Sequence, residues 1–289
     1  MPTVSVVIPI YNRPWVLKGA IDSVLAQDFH DFEIVVVDDG STDNTPEILE
    51  SYQQIYVVRQ DHRGVSAARN AGITRAAGHL ITFLDSDDLW LPGKLSAQVA
   101  FFNTHPDALV CQTEEVWIKN GIRVNPKKRH KKYSGMIFER CLELCIVSPS
   151  AVMMRRFLFD EIGGFDETLP VCEDYDLWLR VACRFPIYLI DAPLVIKRGG
   201  HPDQLSRRCC MDRFRIHALE KILESDLLSS RQYSAADAAL KKKCAIYAAG
   251  CLRRGRVGEA NHYLRLSLRF TDQAQSLLVA LNPCEIRDE

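Results

Sequence analysis

Carboxylates form three clusters in this sequence, and each follows a strand-like run or opens a helix-like one. The clusters are Asp38–Ser41, Asp85–Asp88 and Glu173–Asp176. Helix capping explains any one of them, because Asp and Ser side chains accept hydrogen bonds from the free N–H groups at the start of a helix. Three clusters at one edge of a sheet would repel one another unless a cation offset their charge. Their combination therefore favours a cation-dependent site over three separate caps.

Asp85 and Asp87 stand two residues apart, directly after the strand-like run His79–Leu84. Two carboxylates on such a loop can hold one divalent ion that keeps open positions for water or phosphate. Oxygen ligands of this kind suit Mg²⁺ or Mn²⁺. The pair therefore predicts a divalent-cation site.

The elements that must position these carboxylates alternate regularly in the first part of the chain. Apolar, β-branched runs alternate with helical stretches; the runs are Val4–Ile10, Glu33–Val37, Ile55–Arg59 and His79–Leu84, and the helices Pro14–Ala26, Thr45–Tyr52 and Val65–Ala77. Continuously apolar strands joined by helices indicate an α/β protein with a parallel sheet covered on both faces. Ligands of such sheets bind beyond the carboxyl ends of the strands, where two of the acidic clusters lie.

The rest of the chain changes character twice. From about Leu89 to Arg198 the pattern is mixed, with helices expected at Pro92–Asn103, Ile137–Leu144 and Glu173–Phe185 and strands at Ala108–Lys119 and Ile187–Ile196. After about Met211 only helical spacing remains, to about Leu281. Within it, Lys241–Phe270 reads as a helical hairpin. We interpret this end as a small helical appendage.

Composition excludes several classes of protein. The 289 residues carry 36 Lys and Arg against 37 Asp and Glu, so no basic excess directs the chain to nucleic acid. The longest mostly apolar stretches have about ten residues, whereas a membrane span needs about 20. The ten cysteines form no CxxC pair, so we expect most to be apolar core residues. No signal peptide is recognisable, and we expect a cytoplasmic protein.

Five motifs give the sequence a family resemblance. They are Val4–Asn12 (VSVVIPIYN), Val35–Thr42 (VVVDDGST), Gly64–Gly72 (GVSAARNAG), Phe83–Asp88 (FLDSDD) and Glu173–Arg180 (EDYDLWLR). In this order and spacing the chain resembles family 2 glycosyltransferases over about residues 3–210. The resemblance implies a GT-A fold, with a Rossmann-like, mostly parallel central sheet and helices on both faces. It divides residues 1–210 into a nucleotide-sugar-binding half (1–90) and an acceptor-binding half (91–210). The C-terminal helical region 211–289 lies outside it.

The resemblance also implies roles for individual residues. Tyr11 and Asp39 would stack on and hydrogen-bond the base, and Asp174 would be the general base. The expected donor-binding residues are Pro9, Tyr11, Asn12, Asp39, Arg63, Gly64, Arg69, Asp85 and Ser86. Asp85 would face the ribose or the metal, and Asp87 would ligate the metal. Asp88 lengthens the acidic run by one residue, so the choice of primary ligand stays open.

Further candidates carry two interpretations each. His201, in a Gly- and Pro-rich loop after the last strand, would complete the metal or diphosphate site, or is an ordinary surface histidine. The acceptor side would include Trp90 as a wall of the site, Gly164, Glu173 and Trp178, although Trp178 fits core packing better than a sugar platform. The basic run Lys127–Lys132 is either a solvated loop or a lid over an anionic donor.

These observations predict an inverting, metal-dependent glycosyltransferase that uses a UDP- or dTDP-sugar, with GDP not excluded. Its acceptor would be a polysaccharide, a lipid-linked oligosaccharide or a protein, in cell-surface glycan synthesis. A sugar-1-phosphate nucleotidyltransferase should carry a Gly-rich loop after the first strand, where this chain has Tyr11–Pro14. A catalytically lapsed binding protein should have lost one of the carboxylates. The helical end would serve self-association or peripheral contact with the inner face of a membrane.

Overall fold

The first four strands form the parallel part of the sheet. The computed structural model describes residues 1–201, 203–204 and 210–270. Its strands β1 (Val4–Ile10), β2 (Phe32–Asp38), β3 (Ile55–Arg59) and β4 (Leu80–Phe83) alternate with helices α1 (Pro14–Leu25), α2 (Thr45–Glu50) and α3 (Val65–Arg75). β1 pairs in parallel with β2 and β4, and β2 with β3. The alternation expected from the sequence is confirmed, although α2 ends before Tyr52.

Burial on both faces explains why these strands read as continuous apolar runs. Every residue of β1 and β4 is buried. α3 lies unusually close to β1, since a Cβ added at Gly72 would stand 2.3 Å from Val7 Cγ1. The glycine therefore lets this helix pack directly on the sheet and places its N-terminus beside the carboxyl ends of the strands.

The second half extends the same sheet with strands of mixed direction. These strands are β5 (Leu89–Trp90), β6 (Val110–Lys119), β7 (Ile122–Val124), β8 (Val152–Arg155) and β9 (Ile187–Gly199), and the helices are α4 (Lys94–Thr104), α5 (Phe138–Cys141), α6 (Leu158–Ile162) and α7 (Glu173–Ala182). The strand order is β3-β2-β1-β4-β8-β6-β9-β5, with β7 paired to β6. β8 runs antiparallel between β4 and β6, whereas β9 is parallel to β6.

Several boundaries in this half differ from those expected. α5 is shorter than Ile137–Leu144, and α7 ends at Ala182 instead of Phe185. β9 continues past Ile196 to Gly199, because β6 pairs with it as far as Lys119. The sequence did not indicate the short strands β5 and β7, whose stability depends on pairing with β9 and β6.

Three helices follow the sheet: α8 (Met211–Glu224), α9 (Ser230–Arg253) and α10 (Val257–Leu266). The expected hairpin is present, but its first arm begins at Ser230 and not at Lys241. A capping box explains this start, because the Ser229 side chain accepts from the Gln232 backbone N–H while the Gln232 side chain accepts from the Ser229 N–H. The expected helical stretch after residue 270 lies outside the described residues.

Two large apolar clusters cover the two faces of the sheet. In one cluster, residues of β1 pack with Leu17 of α1 and Leu95 of α4. The other joins Phe83 of β4 and Trp178 of α7 with residues of all three C-terminal helices. Six of the eight cysteines within the described residues are buried, as expected of core residues. Cys209 and Cys284 lie outside the described residues.

Candidate active site

A cleft of about 1080 Å³ lies at the carboxyl ends of β1, β2 and β4, beside the N-termini of α3 and α7. It brings the three acidic clusters together. The sequence-predicted residues that line it are Pro9, Tyr11, Asn12, Asp39, Arg63, Gly64, Arg69, Asp85, Ser86, Asp87, Glu173 and Asp174. The strand-end location follows the rule for open α/β sheets.

Asp39 organises the corner of the cleft next to β2. Its buried carboxylate accepts the backbone N–H groups of Arg63 (2.9 Å) and Gly64 (2.8 Å), which open α3. Gly64 adopts a φ of 93°, a conformation that glycine reaches without strain. On the opposite side, Asn12 Oδ1 accepts the backbone N–H of Thr42 at 2.8 Å. These contacts join the three loops that form this corner.

The loop after β4 presents Asp85 and Asp87 to the cleft but turns Asp88 inward. Asp88 accepts the Ser150 hydroxyl at 2.7 Å and the Arg198 backbone N–H at 2.9 Å. Ser150 Oγ also accepts the backbone N–H of Asp85 at 3.1 Å. Ser150 therefore closes the acidic loop, and Asp88, although it borders the cleft, is held by Ser150 and Arg198.

Burial and then crowding raise the pKa values of two of these carboxylates. Burial, and after it the neighbouring Asp85, raise the pKa of Asp87 above its usual range, and Arg13 and His201 oppose the shift in part. Burial and then Asp87 raise the pKa of Asp88 well above its usual range. A divalent cation at this loop would reduce both effects, because its charge offsets the repulsion between the carboxylates.

Arg69 links the two acidic segments that the chain places far apart. Its Nη2 lies 2.7 Å from Asp85 Oδ1 and its Nη1 2.6 Å from Glu173 Oε1, and the guanidinium is 4% exposed. The sequence suggested that Arg69 lies along the nucleotide; the structure shows in addition that it fixes the acidic loop against the start of α7. Burial raises the pKa of Glu173, and Arg69 opposes that shift.

Asp174 lies in the first turn of α7 at the cleft. The partial positive charge of a helix N-terminus stabilises carboxylates at this position. Asp174 Oδ1 accepts the backbone N–H of Tyr175 at 2.7 Å, and Oδ2 lies 3.2 Å from Cys145 Sγ. Burial, and then Asp174, raise the pKa of the Cys145 thiol well above its usual range, so the thiol is the donor.

The basic run is partly anchored inside the protein. Lys132 is buried and donates to Glu115 at 3.1 Å, whereas Lys127, Lys128, Arg129 and Lys131 are exposed. Lys197, which lines the cleft, donates to Ser148 at 3.2 Å, and the nearby carboxylates of Glu115 and Asp88 raise its pKa against the effect of its burial. The interpretation as a wholly solvated loop therefore fails for Lys132, and the half-buried Lys197 places a cation near the acidic loop.

The structure does not bring every candidate to the cleft. Trp90 is 3% exposed and donates to the Ser150 carbonyl, so the expected wall of the site is a core residue. Trp178 is buried in the core, as packing predicts. Gly164 lines a separate, smaller depression of about 300 Å³. The His201 ring packs edge-on against Trp15 and is not among the residues that line the cleft, although it lies close enough to Asp87 to affect its pKa.

Arg13 and His62 line the cleft but were not among the sequence candidates. Arg13 Nη1 lies 3.3 Å from Asp87 Oδ2, and its Nε lies 2.6 Å from Asp203 Oδ2. His62 stacks on the ring of Tyr11. Their positions next to Asn12 and Arg63 were the available signal, because residues that flank binding motifs at strand ends share the same edge of the sheet.

Two further observations concern metal ligands and membrane-spanning helices. Within the described parts of the chain, no group of three or more His, Cys, Asp or Glu side chains is arranged to hold a metal ion. Over the same residues, no helix combines the length and apolar character required to cross a membrane.

The fold and the cleft define an α/β protein with a carboxylate-lined binding site at the strand ends. The chain matches the family model described as glycosyl transferase family 2 over residues 5–163, more than half of its length. It therefore belongs to glycosyl transferase family 2, and the expected family is confirmed.

Similar proteins agree with this assignment. An uncharacterized glycosyltransferase of Rickettsia typhi is 34% identical over 209 residues, covering 70% of this chain and 65% of the relative, so the chain spans less than two thirds of that protein. A second relative is the Escherichia coli UDP-Glc:alpha-D-GlcNAc-diphosphoundecaprenol beta-1,3-glucosyltransferase WfgD. It is 31% identical over a match that covers 62% of this chain and 69% of the WfgD chain. Staphylococcus aureus TarS, solved with UDP-GlcNAc, has a TM-score of 0.68 at 24% identity over 84% of this chain and 72% of the TarS chain. The expected GT-A-like fold is confirmed.

Proposed function

We propose that this protein transfers a sugar from a nucleotide diphosphate to an acceptor hydroxyl with inversion at the anomeric carbon. One observation carries the proposal: a single cleft holds Asp39, the acidic pair Asp85 and Asp87, and Asp174. Such a transfer needs a group that binds the nucleotide, a charge that offsets the departing diphosphate, and a base for the acceptor proton. These carboxylates supply the first and third needs directly.

Asp85 and Asp87 fit a divalent cation. Asp88 already accepts two hydrogen bonds from Ser150 and Arg198, which leaves the other two carboxylates for a ligand in the cleft. Burial first and the neighbouring Asp85 next raise the pKa of Asp87, so a bound cation would relieve the repulsion between the two carboxylates. When bound, Mg²⁺ or Mn²⁺ would act as a Lewis acid that neutralises the diphosphate. His201 as a third ligand remains a prediction.

The remaining residues bind and orient. Tyr11 and Asp39 hold the base, and Arg69 keeps Asp85 and Glu173 in place. Asp174 accepts the proton of the acceptor hydroxyl as that oxygen attacks the anomeric carbon and the bond to the diphosphate breaks. A direct attack of this kind inverts the anomeric centre. Positioning both substrates in one cleft supplies a large part of the rate enhancement.

The relatives support one class of donor and one class of acceptor. WfgD acts with UDP-Glc on a diphosphoundecaprenol-linked acceptor, which supports a uridine diphosphate donor and a lipid-linked acceptor in glycan synthesis. A dTDP-sugar, a GDP-sugar and a polysaccharide or protein acceptor are the alternatives. Contact with the inner face of a membrane and self-association through the helical end also remain predictions.

Thermal denaturation with a nucleotide panel tests the donor site. UDP, dTDP, GDP and CDP are each added with Mn²⁺ or with chelator, and a ligand at 100 times its Kd should add about 2.7 kcal/mol. We expect UDP or dTDP to stabilise the protein, and to stabilise it more with Mn²⁺ than with chelator. In Asp87→Ala, only the additional stabilisation that depends on Mn²⁺ should be lost. Equal responses in Asp87→Ala and the unsubstituted protein would contradict the metal assignment.

Transfer itself tests the base. Asp174→Asn keeps the shape of the side chain but cannot accept the proton, so we expect transfer to fall at least about 100-fold while UDP binding persists. The anomeric configuration of the product, measured by NMR, reports inversion. Full transfer by Asp174→Asn, or retention of configuration, would overturn the proposed mechanism.

A further inference from the structure

Four groups crowd the Asp39 carboxylate in the described structure. Oδ1 accepts Gln60 Nε2 at 2.7 Å and the Arg63 backbone N–H at 2.9 Å. Oδ2 accepts the Gly64 backbone N–H at 2.8 Å, and His62 Nδ1 lies 2.8 Å from the same oxygen. An ionised carboxylate offers about four lone-pair positions, and the His62 ring covers the one that these three hydrogen bonds leave. A nucleotide base therefore reaches Asp39 only when one of these groups leaves.

Of the two side chains that contact the Asp39 carboxylate, His62 is exposed and Gln60 is half-buried, so His62 leaves at the lower cost. Arg63 and Gly64 donate through the backbone, and moving them would displace the start of α3. The His62 side chain is 52% exposed, so it can rotate into solvent without changing the backbone. Its Nδ1 faces only acceptors at Asp39, namely Oδ2 and the backbone carbonyl at 3.2 Å, so Nδ1 carries the ring proton.

The His62 ring also covers a face that a base would need. It stacks on Tyr11 with ring centroids 3.8 Å apart and an interplanar angle of 16°. A flat heteroaromatic ring lies parallel to the tyrosine while its N–H points at the aspartate. A uracil, thymine or guanine ring, each with a ring N–H, would make the same pair of contacts.

We infer that His62 occupies the base position of the ligand-free protein and that the base of the donor displaces it. This inference rests on the proposed function, because Tyr11 and Asp39 are base-binding residues only if the cleft takes a nucleotide. The exchange conserves contacts, since one ring N–H replaces another beside Asp39 and one stacked ring replaces another on Tyr11. His62 therefore sets donor affinity by competing for the site.

Calorimetric titration of UDP into the protein and into His62→Ala tests the competition. The apparent Kd is the intrinsic Kd divided by the fraction of molecules whose site is open, so removing the competitor should tighten UDP binding by about tenfold. His30→Ala is the matched control, because His30 is exposed and lies outside the residues that line the cleft. We expect it to bind UDP as the unsubstituted protein does.

NMR tests the displacement directly. The ring protons of His62, assigned by their loss in His62→Ala, should be shielded by Tyr11 in the ligand-free protein. Added UDP should move them to unshielded positions, as Tyr11→Leu should without ligand. Resonances that stay shielded in the presence of bound UDP would show that His62 remains in place and would overturn the inference.

The outcomes separate this inference from the proposed function. UDP binding that is unchanged or weaker in His62→Ala overturns the inference and leaves the proposed function standing. Transfer that survives in Asp174→Asn overturns the proposed mechanism. It does not affect the expected difference in UDP affinity between His62→Ala and the unsubstituted protein. Failure of both proteins to bind UDP, dTDP or GDP overturns both.

Discussion

Individual side chains, and not the motifs as units, carry the electrostatics of the cleft. Arg69 shows this best, because one guanidinium neutralises Asp85 from the acidic loop and Glu173 from α7. Arginine suits this role since its fixed fork can donate to two carboxylates at once. Without Arg69, the buried Glu173 would lose the cation that opposes the rise in its pKa.

Removing Arg69 should therefore cost both stability and activity. Arg69→Met leaves Glu173 buried without its partner, and breaking a buried ion pair in this way costs about 3–5 kcal/mol. Urea unfolding measures the loss. Arg59→Met is the control, because Arg59 and Glu50 form an exposed pair, at 53% and 69% exposure, worth no more than about 1 kcal/mol. Equal losses in the two variants would contradict the role given to Arg69.

Glu115 should make stability depend on pH in the acid range. Burial alone would raise its pKa, but Lys132 first and Lys197 next lower it from the ordinary 4.5 to about 2. Because the folded-state pKa lies below the unfolded one, the stabilisation is complete above about pH 4.5 and is lost as the pH falls towards 2.

Urea unfolding from neutral pH down to about pH 3 checks this dependence. We expect Glu115→Gln to be less stable than the unsubstituted protein at neutral pH, and the difference should shrink as the pH falls. In a Lys132→Met background the same substitution should show less of this change. A difference that does not vary with pH would exclude Glu115 as its source.

The motifs were enough to predict which carboxylates line the cleft, but not which distant residues the side chains near the cleft contact. Asp39, Asp85, Asp87 and Asp174 all reach the cleft as expected. Trp90 lies two residues after the acidic run, yet its ring turns inward to the Ser150 carbonyl. Ser150 is remote in the chain, so no local pattern could reveal this contact.

At the scale of elements, the close packing of α3 on β1 places the loop whose backbone N–H groups bind Asp39. Gly72 permits this packing, because the added Cβ would stand 2.3 Å from Val7 Cγ1 and 3.3 Å from Val37 Cγ2. Both valines belong to fully buried parts of the sheet and have little room to move. The helix start at Gly64, which binds Asp39, depends on this spacing.

A pair of glycine substitutions tests the packing. Gly72→Ala should destabilise the protein by about 1–3 kcal/mol despite the better helix propensity of alanine, because overpacking forces the helix away from the sheet. Gly258→Ala, in the first turn of α10 with nothing within 4 Å of the added Cβ, should be neutral or stabilising. Chemical denaturation of both variants measures the contrast. Stabilisation by Gly72→Ala would show that α3 has freedom to shift.

The elements that the sequence predicted correctly are those with strong local patterns. β1 and β3 have the bounds expected from their apolar runs. β5 and β7 were missed, since strands this short form only by pairing with distant partners. The antiparallel direction of β8 also depends on its neighbours β4 and β6 and not on its own residues.

At the scale of the whole molecule, the C-terminal helices share an apolar core with the sheet. The same cluster contains Phe83 of β4, Trp178 of α7, Leu219 of α8 and Leu240 of α9. Lys221 of α8 also pairs with Asp176 of α7 at 2.8 Å. The division into residues 1–210 and an appendage 211–289 remains a prediction from the family resemblance, and this shared core favours a single cooperative unit.

The shared core predicts that a substitution in α9 also lowers the stability of the part of the protein that contains the cleft. Leu240 is fully buried, so Leu240→Ala should cost about 2–5 kcal/mol, whereas Leu252→Ala, on the same helix at 49% exposure, should cost far less. Far-UV circular dichroism, tryptophan fluorescence and UDP binding should all be lost at one urea midpoint that Leu240→Ala lowers for each signal. An independent helical domain would instead give two transitions, and Leu240→Ala would move only one and leave UDP binding at its original midpoint. Because α8 and α9 pack against α7, which carries Asp174, we expect the single transition.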